Sequence, residues 1–264
     1  VFRRNLRDLN IRTPDHMPLA TDYVAKMIEF AKGFADANCY QLDSGLYFDS
    51  STVPDYGRLS GGQDDAGEGR IESVEGKRHP QDFAIWRTTP PGETRQMEWD
   101  SPWGRGAPGW HLECSVMSAE LLGLPFDIHT GGIDHREIHH VNEIAQNQAH
   151  CRCGDSGARV WMHNNFLVDR GGKMSKSKGG IATLDALVAK GVHPLAYRLM
   201  CLSAHYRSEL EFSGENLLAA LVRLRRLVLA AEKFREAEGK GGGNPASYLE
   251  RLDAAVSDDL NTPK

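Results

Sequence analysis

The feature that most constrains this fold is an alternation of helix-like and strand-like segments between residues 111 and 168. HLECSVMSAELLGL has helical apolar spacing, FDIHTGG (126–132) is typical of a short buried strand, and 137–150 is again helical in pattern. A further strand-like run, RVWMHNNFLV, occupies 159–168. This alternation predicts α/β layers with a parallel sheet, whose ligand sites lie in loops at the carboxyl ends of the strands.

Two glycine turns follow these strand-like runs, and both are placed where a nucleotide could bind. The first is HTGGID, and the second is the basic loop DRGGKMSKSKGG at 169–180. Glycine lets the backbone approach a ligand, and lysine offers mobile positive charge to phosphate oxygens. The alternative for such a loop is a solvated turn, because charged residues in Gly-rich loops commonly face water.

The flanking segments predict further elements. Residues 21–38 have helical spacing with Thr21 or Asp22 as a cap, and GLYFDS at 45–50 resembles a strand. Residues 216–238 predict a strongly amphipathic helix, followed by a Gly-rich linker and the start of another helix from residue 248.

The composition excludes several classes of protein. The chain has 264 residues, 40% hydrophobic and 25% charged, which is typical of a globular protein with a sizeable core. A net charge of −5 excludes a basic nucleic-acid coat, so any nucleic-acid contact depends on local patches. No apolar run approaches the ~18–20 residues of a membrane span. Five irregularly spaced cysteines argue against a disulfide scaffold and favour a reducing cytoplasm.

A possible metal site involves residues of three types. His139 and Glu143 are spaced to project from one face of a helix, and Cys114 lies in the preceding helix-like segment. Imidazole, carboxylate and thiolate are all zinc ligands. The spacing also fits a surface His–Glu pair and a cysteine that fills space in the core, so both interpretations stay open.

Four blocks together resemble the cysteinyl-tRNA synthetases, a family of class I aminoacyl-tRNA synthetases. The resemblance extends over nearly the whole chain, from TPDHMPLAT at 13–21 to DDLNTPK at 258–264. The blocks are PGWHLECSVM (108–117), FDIHTGGIDHREIHHVNEIAQ (126–146), WMHNNFLVDRGGKMSKSKGG (161–180) and LSAHYRSELEFS (202–213).

The resemblance implies the second half of a Rossmann-type catalytic domain with an inserted connective region, followed by an α-helical domain. The family's upstream half, with a further zinc cysteine and a His-x-Gly-His motif, has no match here, so we expect a fragment that cannot aminoacylate alone. The implied divisions are the insertion and linker (1–107), the Rossmann half with the zinc site (108–168), the KMSKS loop and stem-contact region (169–214) and a truncated helical tRNA-binding domain (215–264).

The resemblance also implies a substrate site with one Zn²⁺ per subunit. Cys114, His139 and Glu143 match the zinc ligands, and Trp110 and His111 are expected to line the pocket for the substrate cysteine. A soft thiolate binds zinc well whereas the hydroxyl of serine does not, so this metal would discriminate between the two amino acids.

The implied reaction activates L-cysteine with ATP and Mg²⁺ to cysteinyl-adenylate and then transfers it to tRNA(Cys). Lys173 and Lys176 are the expected catalytic residues, because charge that builds on the phosphates is stabilised by positioned ammonium groups. The other expected ATP contacts are His129, Gly131, Gly132, Asp134, Ser175 and Ser177. In this sequence TGGI replaces the family's run of three glycines and a serine, and Val141 stands where the family usually has Glu.

Two alternatives are retained. A cysteine ligase of the mycothiol pathway, which joins cysteine to glucosaminyl-inositol, shares the zinc site and the KMSKS loop. A non-catalytic zinc-binding paralogue is the other. We further expect a cytoplasmic monomer, a structural or supporting role for His140, core positions for Cys39 and Cys201, and a loop insertion rather than a metal site at Cys151 and Cys153.

Overall fold

The computed structural model describes residues 1–60, 74–154, 157–169, 172–173, 183–236 and 244–264. These residues form two compact units, one of His16–His163 and one of Val1–Asp15 with Asn164–Lys264. The domain boundaries expected after residues 107, 168 and 214 were drawn between sequence motifs, whereas the two units are defined by contacts in space. The expected boundaries therefore stay a prediction.

The elements are as follows in chain order. The helices are α1 (Phe2–Asp8), α2 (Val24–Asn38), α3 (Trp110–Leu122), α4 (Val141–Cys151), α5 (Leu184–Ala189), α6 (Pro194–Leu202), α7 (Gly214–Glu236) and α8 (Pro245–Ser257). The strands are β1 (Cys39–Leu42), β2 (Gly45–Phe48), β3 (Phe83–Thr88), β4 (Gly106–Pro108), β5 (Phe126–Gly132), β6 (Ala158–Asn164), β7 (Leu167–Asp169), β8 (Gly172–Lys173) and β9 (Leu210–Glu211).

In the first unit, strands β1 to β4 form an antiparallel sheet in sequential order. Strand β2 confirms the strand-like pattern of 45–50. This sheet precedes residue 111 and so lies outside the alternation that predicted parallel pairing. Helix α2 confirms the helical pattern of 21–38, but neither Thr21 nor Asp22 caps it, because both lie in a 3₁₀ turn that runs directly into the helix.

The core of the first unit lies between α2, β3, α3 and α4. Its most buried side chains include aromatic and aliphatic residues from all four elements, and each fully buried one stabilises the fold by about 1.5–3 kcal/mol. They are Met27, Phe34, Ile85, Trp86, Leu112, Val116 and Ala145.

The segment 126–132 forms strand β5 as predicted, but it is not a buried strand. Phe126 is buried whereas Ile128 is 55% exposed, because among the described strands β5 pairs with β6 alone. The predicted strand 159–168 is divided into β6 and β7. The division occurs at Asn165, whose backbone N–H donates to Tyr206 O and whose side chain accepts from Phe166 N.

In the second unit, β7 pairs parallel to β9 and antiparallel to β8. Strand β9 lies beyond residue 168, so the parallel pairing expected within the alternating segment stays a prediction. Helix α7 confirms the amphipathic segment, with Leu217 and Ala220 buried. Helix α8 begins before the predicted residue 248, because Asn244 caps it and Pro245 favours the first helical position. Among the helices in the described ranges, none has the length and apolar character that a bilayer crossing requires.

The cysteines fall into two groups. Cys39 and Cys201 pack against the two cores, which confirms their predicted positions. Cys151 and Cys153 are joined by a disulfide at the end of α4, a pairing that the sequence interpretation did not include.

Candidate functional site

The start of α3 is fixed against the sheet by Gly109. Its backbone N–H donates to Ile85 O at 2.8 Å. A Cβ at this position would lie 1.9 Å from Ala84 O, so only glycine fits. The first turns of α3 therefore leave the surface of β3 in a fixed direction, and they carry Trp110, His111 and Cys114.

Between β5 and α4 the chain passes through a 3₁₀ turn (Ile133–His135) and a π-helical turn (Arg136–His140). Such π-turns are frequent at functional sites because they re-aim side chains. Here the wide turn buries both His139 and His140, and the following α4 buries Glu143. The i,i+4 relation between His139 and Glu143 places both side chains on one face.

The structure brings the three predicted zinc ligands together. The ligand atoms of Cys114, His139 and Glu143 all lie within 4.8 Å of one another. Around a tetrahedral zinc with bonds of about 2.0–2.3 Å, ligand atoms are separated by about 3.3–3.8 Å. The three side chains therefore need only a small contraction to hold one cation.

Glu143 shows why a cation fits here. Its Oε1 atom is buried and has no hydrogen-bond donor among the described residues. The Nε2 atoms of His139 and His129 lie 3.0 and 3.3 Å from it, without the alignment of a hydrogen bond. A buried carboxylate oxygen without an aligned hydrogen bond is costly, and a cation between these donors would satisfy it.

The protonation of the two acidic ligands differs. Burial acts to raise the pKa of Glu143, but the neighbouring His129 and His139 outweigh it and lower that pKa to about 2. Burial, with the charges of Glu143 and Glu113, raises the pKa of the Cys114 thiol to about 12. Glu143 is therefore charged in the metal-free protein, whereas Cys114 is protonated and would release its proton on binding a metal.

His111 supports His139 directly. The two Nδ1 atoms lie 2.8 Å apart, and the Trp110 ring stacks on His139 at a centroid distance of 4.1 Å. Burial and the neighbouring His139 lower the pKa of His111 to about 3, so His111 is neutral and can accept a hydrogen bond. A ligating histidine is commonly held in this way through its second ring nitrogen.

Trp110 and His111 also line a cavity of about 200 Å³. This is below the ~300–1,000 Å³ of a typical ligand pocket and suits only a very small ligand. The cavity is further lined by Tyr47 of β2, Asp82 and Arg87 at the two ends of the β3 segment, Glu137 of the π-turn and Asn142 of α4. The expected pocket residues therefore face a cavity, and His111 connects that cavity to the cluster of ligands.

The structure describes some of the residues expected to bind ATP, but not all of them. His129 lies in the middle of β5, Gly131 and Gly132 lie at its end, and Asp134 lies in the 3₁₀ turn that follows. A Cβ on Gly131 would approach His140 Cε1 to 2.7 Å, so this glycine is needed for close packing. Lys173 is described through its backbone, which pairs with Val168. Ser175, Lys176 and Ser177 lie outside the described residues.

The sequence interpretation missed two residues of the cluster. His163 Nε2 lies 2.8 Å from His140 Nδ1 and so holds that ring, while the structural or supporting role expected of His140 stays a prediction. The Trp161 ring lies against both His129 and His140. The signal was available, because Trp161 and His163 are two apart in a strand and so share one face.

Comparison with solved structures defines the fold. Mycobacterium tuberculosis methionyl-tRNA synthetase in complex with methionyl-adenylate is similar, with a TM-score of 0.62 and 16% identity over 99% of this chain and 65% of that chain. Residues 1–222 match the family of tRNA synthetases class I (C), catalytic domain. The chain belongs to this family, which confirms the predicted α/β class.

Two curated relatives are close in sequence. A protein of Novosphingobium aromaticivorans named cysteine–tRNA ligase is 65% identical over 271 residues, which cover 99% of this chain and 55% of the relative. A cysteine–tRNA ligase of Zymomonas mobilis is 54% identical over 302 residues, covering 100% of this chain and 58% of the relative. The chain thus spans a little over half the length of these relatives.

Proposed function

We propose that this chain is part of a cysteine–tRNA ligase that forms cysteinyl-adenylate from L-cysteine and ATP and transfers the cysteine to tRNA(Cys). The observation that carries the proposal is the buried group of Cys114, His139 and Glu143, whose ligand atoms lie within 4.8 Å of one another. The names of the two similar relatives support the same activity. The protein would act in the cytoplasm as a monomer.

In this proposal the three side chains hold one Zn²⁺. Bound zinc supplies a cation that prefers a thiolate to a hydroxyl as its ligand. His111 keeps the ring of His139 oriented from behind, and Trp110 packs against the same ring. Both residues face the cavity, where the cysteine substrate would bind.

The chemical steps depend on residues at the carboxyl ends of the strands. A carboxylate oxygen of cysteine attacks the α-phosphorus of ATP, and the bond to pyrophosphate breaks. A hydroxyl of the tRNA 3′ end then attacks the carbonyl carbon, and AMP leaves. His129, Gly131, Gly132 and Asp134 would contact the adenosine, while Lys173, Ser175, Lys176 and Ser177 would contact the phosphates with Mg²⁺. The lysines would stabilise the charge that develops on the phosphates.

The test is a chimera in which residues 1–264 replace the matching segment of the Novosphingobium aromaticivorans relative. We expect cysteine-dependent exchange of pyrophosphate into ATP, charging of tRNA(Cys), and no exchange with serine. A matched variant, Cys114→Ser, should lose the zinc held by Cys114, His139 and Glu143 and lose exchange with cysteine. A chimera that folds and holds zinc but activates no cysteine would contradict the proposal.

The acceptor distinguishes the remaining alternatives. Transfer to glucosaminyl-inositol instead of tRNA would identify a mycothiol-pathway ligase. Zinc binding without adenylate formation would identify a non-catalytic paralogue.

A further inference from the structure

Glu143 belongs to a second group of potential ligands. The ligand atoms of His129, His140 and Glu143 also lie within 4.8 Å of one another. His140 and Glu143 are buried, and His129 is largely covered. Three elements supply these donors, namely the middle of β5, the π-turn and the first turn of α4.

His140 is held through its second ring nitrogen, and His129 lies beside Glu143. His140 Nδ1 is 2.8 Å from His163 Nε2, so this contact occupies one ring nitrogen and leaves Nε2 for a ligand. The space beside His140 Nε2 is open because Gly131 has no side chain, since a Cβ there would lie 2.8 Å from that nitrogen. Nε2 of His129 points at Glu143 Oε1 from 3.3 Å. Histidines supported through the second nitrogen are typical of metal sites.

We propose that His129, His140 and Glu143 form a second divalent-cation site, which shares Glu143 with the site at Cys114. Two imidazoles and a carboxylate suit borderline cations such as Zn²⁺, Co²⁺ or Ni²⁺, whereas the first site offers a thiolate in addition. The inference does not rest on the proposed aminoacylation, because it concerns metal binding by two histidines outside the Cys114 site, with Glu143 as the one shared donor.

Charge sets the order in which the two sites fill. The imidazoles bring no negative charge, so both cations depend on the carboxylate of Glu143, and the thiolate of Cys114 helps the first alone. Cations that share a carboxylate lie about 3.5–4 Å apart and repel each other. The second site therefore binds more weakly than the first, and we expect a dissociation constant at least about tenfold higher.

The test is a titration of the metal-free 264-residue chain with Co²⁺, followed by absorption spectroscopy and by metal analysis after dialysis. We expect two equivalents. The first produces a thiolate-to-cobalt charge-transfer band from Cys114, and the second adds ligand-field absorption without further charge transfer. His129→Ala should lose the second equivalent and keep the charge-transfer band. Cys114→Ser should lose that band and keep one equivalent, and His79→Ala, outside the cluster, should bind as the unaltered chain does.

His129→Ala could fail to fold, which loss of its helical far-UV circular dichroism signal would show. A milder variant keeps the proposal testable in that case. His163→Ala retains all three donors and should weaken the second equivalent about tenfold through loss of support for His140. Saturation at one equivalent would overturn the proposal, and so would a second equivalent unchanged in His129→Ala and His163→Ala. Loss of both equivalents in His129→Ala would also overturn it, because the histidine would then belong to a single site. If the first equivalent produces no charge-transfer band, Cys114 is not a ligand. That result would count against the proposed function but not against the second site.

Discussion

Replacing His111 tests whether this residue supports the metal site or only lines the substrate cavity. In the structure its Nδ1 lies 2.8 Å from the Nδ1 of His139. His111→Ala leaves the inner nitrogen of His139 without a partner and frees its ring to rotate. Loss of such a supporting contact lowers metal affinity by about 10–100-fold, which corresponds to about 1.4–2.7 kcal/mol.

The measurement is the zinc dissociation constant of the chain, obtained by competition with a chromogenic chelator. His111→Asn is the matched variant, because its amide oxygen can still accept a hydrogen bond, and it should recover part of the affinity. Trp110→Ala removes a ring that is half exposed and should change zinc affinity less. If His111→Ala binds zinc within twofold of the unaltered chain while the chimera's KM for cysteine rises, His111 is a pocket residue alone and the reasoning is refuted.

Three further predictions concern stability and are checked by urea unfolding. Gly131→Ala places a Cβ 2.7 Å from His140 Cε1 and should lower the free energy of unfolding by about 1–3 kcal/mol. An unchanged free energy of unfolding would show that the His140 ring can move aside. Leu112→Ala removes a fully buried side chain at the centre of the core and should cost about 2–5 kcal/mol, whereas an equal effect of Leu122→Ala, which is exposed, would contradict the core assignment. Burial acts to raise the pKa of Asp49, but hydrogen bonds from Ser51 and Arg78 outweigh it and lower the pKa. Its stabilisation is therefore present above the ordinary carboxyl pKa and lost as the pH falls through the lowered one, so Asp49→Asn should flatten the acid side of the stability curve.

Local patterns in the sequence were sufficient to predict α3, β5 and α7, because each has its own periodicity and a glycine or polar residue near its end. The three ligands of the first site were predicted from spacing and family resemblance together. The i,i+4 spacing that brings His139 and Glu143 together can be read from the local sequence. The approach of Cys114 to them results from the packing of α3 against α4.

Other features depend on contacts between distant segments and had no local signal. The division of 159–168 at Asn165 depends on Tyr206, far along the chain. The approach of His129 to Glu143 depends on a π-turn, which no helical periodicity predicts. The disulfide of Cys151 and Cys153 likewise depends on how the chain leaves α4 rather than on the cysteine count.

The connection between β4 and α3 has a consequence for how this protein can vary. Strand β4 ends at Pro108 and α3 begins at Trp110, so Gly109 alone joins the sheet to the helix. One inserted residue would turn the helix by about 100° relative to the sheet, since an α-helix has 3.6 residues per turn. Cys114 would then face away from Glu143. The length of the chain at this point is as much a determinant of the proposed metal site as its donor residues, and we expect insertions and deletions to be excluded there while substitutions at exposed positions of α3, such as Leu122, are tolerated.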